Sequence, residues 1–202
     1  MDAIRQHFLE ALGRYAACWP DEGDVDRFAS WAREQEKPFH RETREGHFTA
    51  SAWLVSADGE RALLMLHRKL ERWLQPGGHA DGEPDLPGVA LREAEEETGL
   101  RGLDVLPDIF DVDRHVIPAR GHEPEHWHYD VRYAVIARGG EAFVVNEESL
   151  ELAWRPVADI AADPTLDGSL RRMASKWLSA GAAVAARSQR SDDGVTPAVS
   201  PL

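Results

Sequence analysis

Between Gly77 and Gly99 the chain carries a pattern that few folds can hold. A Gly77-Gly78 pair is followed by Pro87 and Gly99, which bracket a helix containing Arg92-Glu93-Ala94-Glu95-Glu96-Glu97-Thr98. Proline suits a first turn and glycine the residue after a last one, so this helix runs for about a dozen residues. At about 100° per residue with Glu93 at zero, Glu96 falls near −60° and Glu97 near +40°, so three carboxylates share a sector roughly 100° wide. Leu91, Ala94 and Thr98 fall near 100° to 160° and are expected to pack on a sheet, with Glu95 beyond them, outside the carboxylate cluster. Three carboxylates on one face repel one another unless a cation sits among them, and oxygen ligands favour hard cations such as Mg²⁺ or Mn²⁺. A solvated acidic stripe is the plain alternative, against which the flanking glycines weigh.

Around that helix the hydrophobic period changes. Ile4, Phe8, Leu12, Tyr15 and Cys18 line one face of a helix ended by Trp19-Pro20-Asp21, with Cys18 expected as a buried small hydrophobe. A second short helix is expected from Asp24 as N-cap, turning Val25, Phe28, Trp31 and Ala32 inward and stopping before Pro38. Beyond Gly46 the period is two: Phe48, Ala50, Ala52 and Leu54 alternate with Thr49, Ser51, Trp53 and Val55. Asp58-Gly59 then turns the chain into Ala62-Leu63-Leu64-Met65-Leu66 as a β-hairpin. Regular structure is expected to break at Gly77-Gly78. Strands are expected at 108–117, 126–137 and near 150–154, then a helix with Leu166, Leu170, Met173 and Trp177 at helical spacing. From about Ala186 the chain loses periodicity and is rich in Ser, Pro, Asp and Gly, so disorder is expected there. The expected organisation is a helical extension over 1–45 packed on a domain over 46–182, with a disordered tail over 183–202.

Composition narrows the partners. The 202 residues suit one domain with an appended element. Lys and Arg total 23 against 36 Asp and Glu, and the net charge of −13 argues against bulk nucleic acid and anionic membrane. A phosphorylated small molecule stays open, because a bound divalent cation overrides that repulsive field locally. One cysteine builds no disulfide framework, the N-terminus lacks the basic start and apolar run of a signal peptide, and no stretch of about 18 apolar residues exists. A soluble, cytoplasmic protein is therefore expected.

The pattern resembles the Nudix hydrolase family, whose box runs Gly, five residues, Glu, seven residues, Arg-Glu, an apolar residue, any, Glu-Glu, any, Gly, apolar. Arg92-Glu93 anchors the match: Ala94 is the apolar residue, Glu96-Glu97 the acidic pair, Gly99 the cap and Leu100 the final apolar position, which puts Gly78 first. The departure is the early Glu, whose place holds Pro84 between Glu83 and Asp85; Glu83 is the favoured substitute, Asp85 the other, and a vacated position the third. A strand-turn-strand before Pro76-Gly77-Gly78 and the later Trp154-Arg155-Pro156 extend the resemblance over about 47–180.

The resemblance implies an α/β (α+β) fold, an α/β/α sandwich around a mixed β-sheet. It implies hydrolysis of the diphosphate linkage of a nucleoside diphosphate derivative by water, with Mg²⁺ or Mn²⁺, and a homodimer is open because many relatives dimerise. Glu93 and Glu97 would be the leading metal ligands, Glu96 a ligand or base, the Gly78 (or Gly77) carbonyl a further ligand, and Arg92 an ion-pair support for a box carboxylate. Glu147, Glu148 and Glu151 are alternative bases, or solvated loop acids. Arg68 and Lys69, in a basic stretch with His67 and Arg72, are candidates for phosphate recognition. His79 follows Gly78, and His126-x-His128-x-Asp130 puts three titratable groups on one strand face; a second metal, substrate contact and plain structure all stay open for them. Two other readings exist on this fold: a nucleotide-sensing module, which usually loses box carboxylates that this chain keeps, and an isomerase resembling isopentenyl diphosphate isomerase. The latter needs a cysteine near the site, where Cys18 is not expected.

Overall fold

The computed structural model describes residues 3–22 and 24–192. Two helices open it, α1 (Ala3–Cys18) and α2 (Val25–Glu34). They are followed by β1 (Gly46–Ser56), β2 (Arg61–His67), β3 (Arg72–Leu74), β4 (Gly77–His79) and α3 (Leu86–Thr98). The remainder is β5 (Leu103–Ile117), β6 (His126–Ala137), β7 (Ser149–Pro156), α4 (Val157–Ala162) and α5 (Gly168–Asp192).

The seven strands form one mixed sheet. β1 runs parallel to β6 from Gly46↔Trp127 to Ser56↔Ala137, and β6 is antiparallel to β5. On its other edge β1 meets β2 at Val55↔Ala62 and β4 at Thr49↔His79, Ala50↔Gly78 and Ser51↔Gly77. β2 leaves β1 beyond the turn to pair with β3 and, on its far edge, with β7. β1 and β2 thus diverge like the arms of a V, and the segment 72–79 fills the fork.

Helices cover both faces. On one, Phe8, Leu12, Tyr15 and Phe28 pack with Val89 and Ala90 of α3 against Phe48, Val131 and Tyr133, and Ala94 and Leu100 continue that layer over Ala52, Leu54 and Leu63. On the other, Val157, Ile160, Leu170, Met173 and Trp177 cover Trp53, Val55, Leu64 and Ala134. Each large side chain buried this way stabilises the fold by roughly 1.5–3 kcal/mol, which makes α1 and α2 part of the core.

Four local expectations need correction. Cys18 is exposed and Ile4 is 54% exposed, because the part of α1 that lies over the sheet runs from Phe8 to Tyr15. Asp24 stands at the start of α2, yet its carboxylate lies 3.4 Å from Arg27 and 4.0 Å from Arg114 and caps no amide. Gly77-Gly78 does not interrupt regular structure but lies in β4, paired with β1. Finally, α5 continues to Asp192, past the point where disorder is expected, through an alanine-rich stretch of high helix propensity; residues 193–202 of the expected tail lie outside the described residues.

Candidate functional site

The burial of α3 decides the site. Val89, Ala90, Ala94, Glu97 and Thr98 are buried and span about −40° to 140° on the helix, a stripe centred near Glu97. Glu97 therefore does not share a solvent face with Glu96; it points into the sheet and is 5% exposed. Room for the neighbouring Glu93 carboxylate comes from β4, where Gly78 has no side chain. A carbon attached to Gly78 would lie 2.6 Å from Glu93 Cδ, and one attached to Gly77 would lie 2.7 Å from Ser51 Cβ. The Gly77 amide donates to Glu97 Oε2 at 2.9 Å, tying β4 to α3. The helix has caps at both ends: Asp85 accepts from the Gly88 amide, Pro87 lies in the first turn, and Gly99 takes the left-handed conformation at φ 70°.

Around Glu97 the charges are mostly of one sign. Arg92 Nη2 donates to Glu93 Oε1 at 3.0 Å. Glu93 is held above the usual carboxylate range by burial, partly offset by Arg92 and reinforced by Glu96 and Glu148. Burial pushes Glu97 up to about 8; the Gly77 amide works against this, and Glu93 and Glu148 add to it. Raised carboxylates in an all-oxygen setting fit a hard divalent cation, which would replace the proton that Glu97 retains without it.

Glu148 arrives from the segment before β7, and its position is built. Arg68 donates through its amide to the Glu148 carbonyl at 2.9 Å, and through its guanidinium to the carbonyls of Glu147 at 2.8 Å and Ser149 at 2.9 Å. Asn146 bridges to the helix, donating to the Glu96 carbonyl at 3.2 Å while accepting the Glu148 amide at 2.9 Å. Arg68 thus holds the loop that carries Glu148, where the sequence suggests a phosphate contact. Of the three alternative acids, all of them exposed, Glu148 acts on both Glu93 and Glu97. Lys69 is exposed, with its amide on His67 Nδ1 at 3.1 Å. Glu83 and Asp85 are engaged at the start of α3: Glu83 Oε1 accepts the Asp85 amide at 3.0 Å, and Asp85 caps the helix.

The histidines gather on the other face of the sheet, the one that carries α4 and α5. Parallel pairing sets His47 beside His128, antiparallel pairing sets His115 beside His128, and β4 brings His79 opposite Thr49. Ring centroids of His47 lie 4.9 Å from His128, 5.0 Å from His126 and 5.0 Å from His79. His47 has no sequence neighbour in the H-x-H pattern and is legible only through the β1–β6 register. Burial first, then neighbouring imidazoles, lowers His47 to about 4 and His128 to about 2; burial and Arg41 lower His79. Asp130 does not join them, being 2% exposed and engaged by Thr49 at 3.0 Å, Ser51 at 2.8 Å and Arg132 at 2.7 Å. It belongs to a buried ionic network in which Arg132, Arg172 and Lys176 converge on Asp111.

A NUDIX domain model matches residues 45–177. The chain belongs to the NUDIX family. "Putative 8-oxo-dGTP diphosphatase 3" from Mycobacterium tuberculosis is 33% identical over 143 residues, a match that spans 63% of this chain and 62% of that protein's length. Among solved structures, a Caenorhabditis elegans Ap4A hydrolase binary complex superposes with TM-score 0.54 at 17% identity, covering 67% of this chain and 98% of that one. The Escherichia coli dihydroneopterin triphosphate pyrophosphohydrolase gives TM-score 0.54 at 17% identity, covering 64% and 93%. The MutT protein of Methanosarcina mazei gives 0.52 at 18%, covering 69% and 97%. At such identity these likenesses establish the fold alone.

Proposed function

We propose that this protein is a divalent-metal-dependent hydrolase that cleaves the diphosphate linkage of a nucleoside diphosphate derivative by attack of water. The observation that carries this reading is the convergence of Glu93, Glu97 and Glu148 from two separate elements beside the side-chain-free Gly77-Gly78 strand. Glu93 and Glu97, with Glu96 at the solvent edge and the Gly78 carbonyl, would hold Mg²⁺ or Mn²⁺. Such an ion neutralises phosphate charge and favours hydroxide over water.

The chain's own groups supply the rest. Arg92 fixes Glu93 through Oε1, and the Gly77 amide fixes Glu97 through Oε2, so neither carboxylate turns away when the pair is occupied. Glu148, on the loop held by Arg68 and Asn146, would take the proton of the attacking water, a role for which Glu96 is the competitor. The name of the Mycobacterium tuberculosis relative supports including oxidised and ordinary deoxynucleoside triphosphates among the substrates tried.

The test is a panel of nucleoside di- and triphosphate derivatives incubated with Mg²⁺ or Mn²⁺ and read by chromatography of the products, with Glu97→Gln alongside. Cleavage of one compound, lost in Glu97→Gln, supports the reading and identifies the bond attacked. Tight nucleotide binding without turnover of any compound would replace it with the sensing module.

A further inference from the structure

We propose that His47, His126 and His128 form a binding site for a borderline divalent transition-metal ion of the Zn²⁺ class, on the sheet face opposite the carboxylates of α3. One potential ligand atom from each of the three lies within 4.8 Å of the others.

Two details distinguish this cluster from imidazoles that merely pack. The first is the pair on β6. His126 Nδ1 is 2.9 Å from the Pro124 carbonyl, and because a carbonyl only accepts, that nitrogen carries the proton. His126 Nε2 is then a bare lone pair aimed at His128 Nε2, 3.3 Å away. Two nitrogens on one tetrahedral zinc at about 2.0–2.1 Å stand roughly 3.3–3.4 Å apart, so the pair already has a chelating spacing. A backbone carbonyl that fixes the tautomer of a ligating histidine is the usual outer support of such sites.

The second is His47. It is 3% exposed, and neither Nδ1 nor Nε2 has a hydrogen-bond partner. The Thr43 backbone is close enough to favour the charged ring, but no bond of proper geometry closes. A buried polar group left unpaired forfeits its hydration without recompense, and this one stands within a ring's width of His126 and His128. A cation taking its lone pair removes that cost.

His79 stays outside the ligand set. Its Nδ1 lies 3.3 Å from Arg41 Nη2, which can only donate, so the proton sits on Nε2. Asp130 is excluded by its bonds to Thr49, Ser51 and Arg132. Three imidazoles leave a fourth position for water or another small ligand. An all-nitrogen set also prefers Zn²⁺, Ni²⁺ or Cu²⁺ over Mg²⁺, so the two sites sort metals by donor chemistry.

The experiment uses the full chain, stripped with a chelator and then titrated with Zn²⁺ against a chromogenic competitor in excess Mg²⁺. Co²⁺ substitution is followed by visible absorption. The expected result is one equivalent of zinc, a Co²⁺ spectrum of tetrahedral type, and affinity at least about 100-fold weaker in His126→Ala/His128→Ala. Glu93→Gln/Glu97→Gln and His115→Ala should leave the stoichiometry at one, and circular dichroism of each variant confirms its fold. Absence of zinc uptake, uptake that survives loss of both β6 histidines, or uptake lost with the two glutamates would each overturn the site. Because the readout is metal bound and not turnover, failure here leaves the hydrolase reading intact, and the reverse also holds.

Discussion

Gly77 donates its backbone amide to Glu97 Oε2 at 2.9 Å, across the gap between a short strand and the helix packed on it. That bond holds a carboxylate, 5% exposed, in the middle of a mostly apolar helix stripe. Glutamine at position 97 keeps the acceptor but removes the charge. Glu97→Gln should fold normally and lose at least about 100-fold in kcat, as expected when a group that stabilises transition-state charge is removed. Circular dichroism and product chromatography check the two halves.

Metal binding should depend on pH through the same residue. Glu97 is raised from 4.5 to about 8, so the metal-free fold keeps a proton that the unfolded chain releases above 4.5. Its contribution to stability is fully present below pH 4.5 and lost as pH rises toward 8. A cation replaces the proton, so the gain in Tm from Mg²⁺ should grow from pH 5 to pH 8 and shrink in Glu97→Gln. An equal gain at both ends of that range contradicts the assignment.

The three acids before and within β7 should separate. Glu148→Gln should lower kcat with little change in KM, and Glu147→Gln and Glu151→Gln should leave both within about twofold. Arg68→Ala should mimic Glu148→Gln in part, because its guanidinium holds the Glu147 and Ser149 carbonyls. A rise in KM alone on Arg68→Ala would instead point to a phosphate contact.

Gly78→Ala tests the close approach of strand and helix. The new carbon would meet Glu93 Cδ at 2.6 Å, so the carboxylate or the strand must shift, at a cost of about 1–3 kcal/mol. Activity should fall further than stability, with urea denaturation and a metal titration measuring each.

The N-terminal helices are secured by charge as well as packing. Lys176, 4% exposed, lies 2.7 Å from Glu22 and 2.8 Å from Asp111. Lys176→Met removes one partner of a buried network and should cost about 3 kcal/mol or more in urea denaturation. Burial acts to raise Asp111, but Arg172, Arg132 and Lys176 hold it below the usual carboxylate range. Its contribution is present above about pH 3.9 and lost as pH falls lower, so acid unfolding should begin at higher pH in Lys176→Met.

Sequence periodicity was enough for the helices at either end, the β1–β2 hairpin and the long strands, because side chains repeat with the backbone period of the element that holds them. Motif spacing put the Arg92-Glu93 and Glu96-Glu97 pairs on one helix, as α3 has them, with glycines upstream of it. It misplaced the buried face of α3 because the stripe of small residues alone does not say that a side-chain-free strand will lie beneath Glu97.

What the sequence determined, then, is local: which segments are helix or strand, and which helix carries the acids. The tertiary structure decided which distant residues stand together. It gave Arg68 hydrogen bonds to the loop that carries Glu148, placed Glu148 beside the box helix, and set His47 next to His126 and His128 through the β1–β6 register. Register and packing are settled by the burial of whole faces at once, and no single stretch of sequence holds that information.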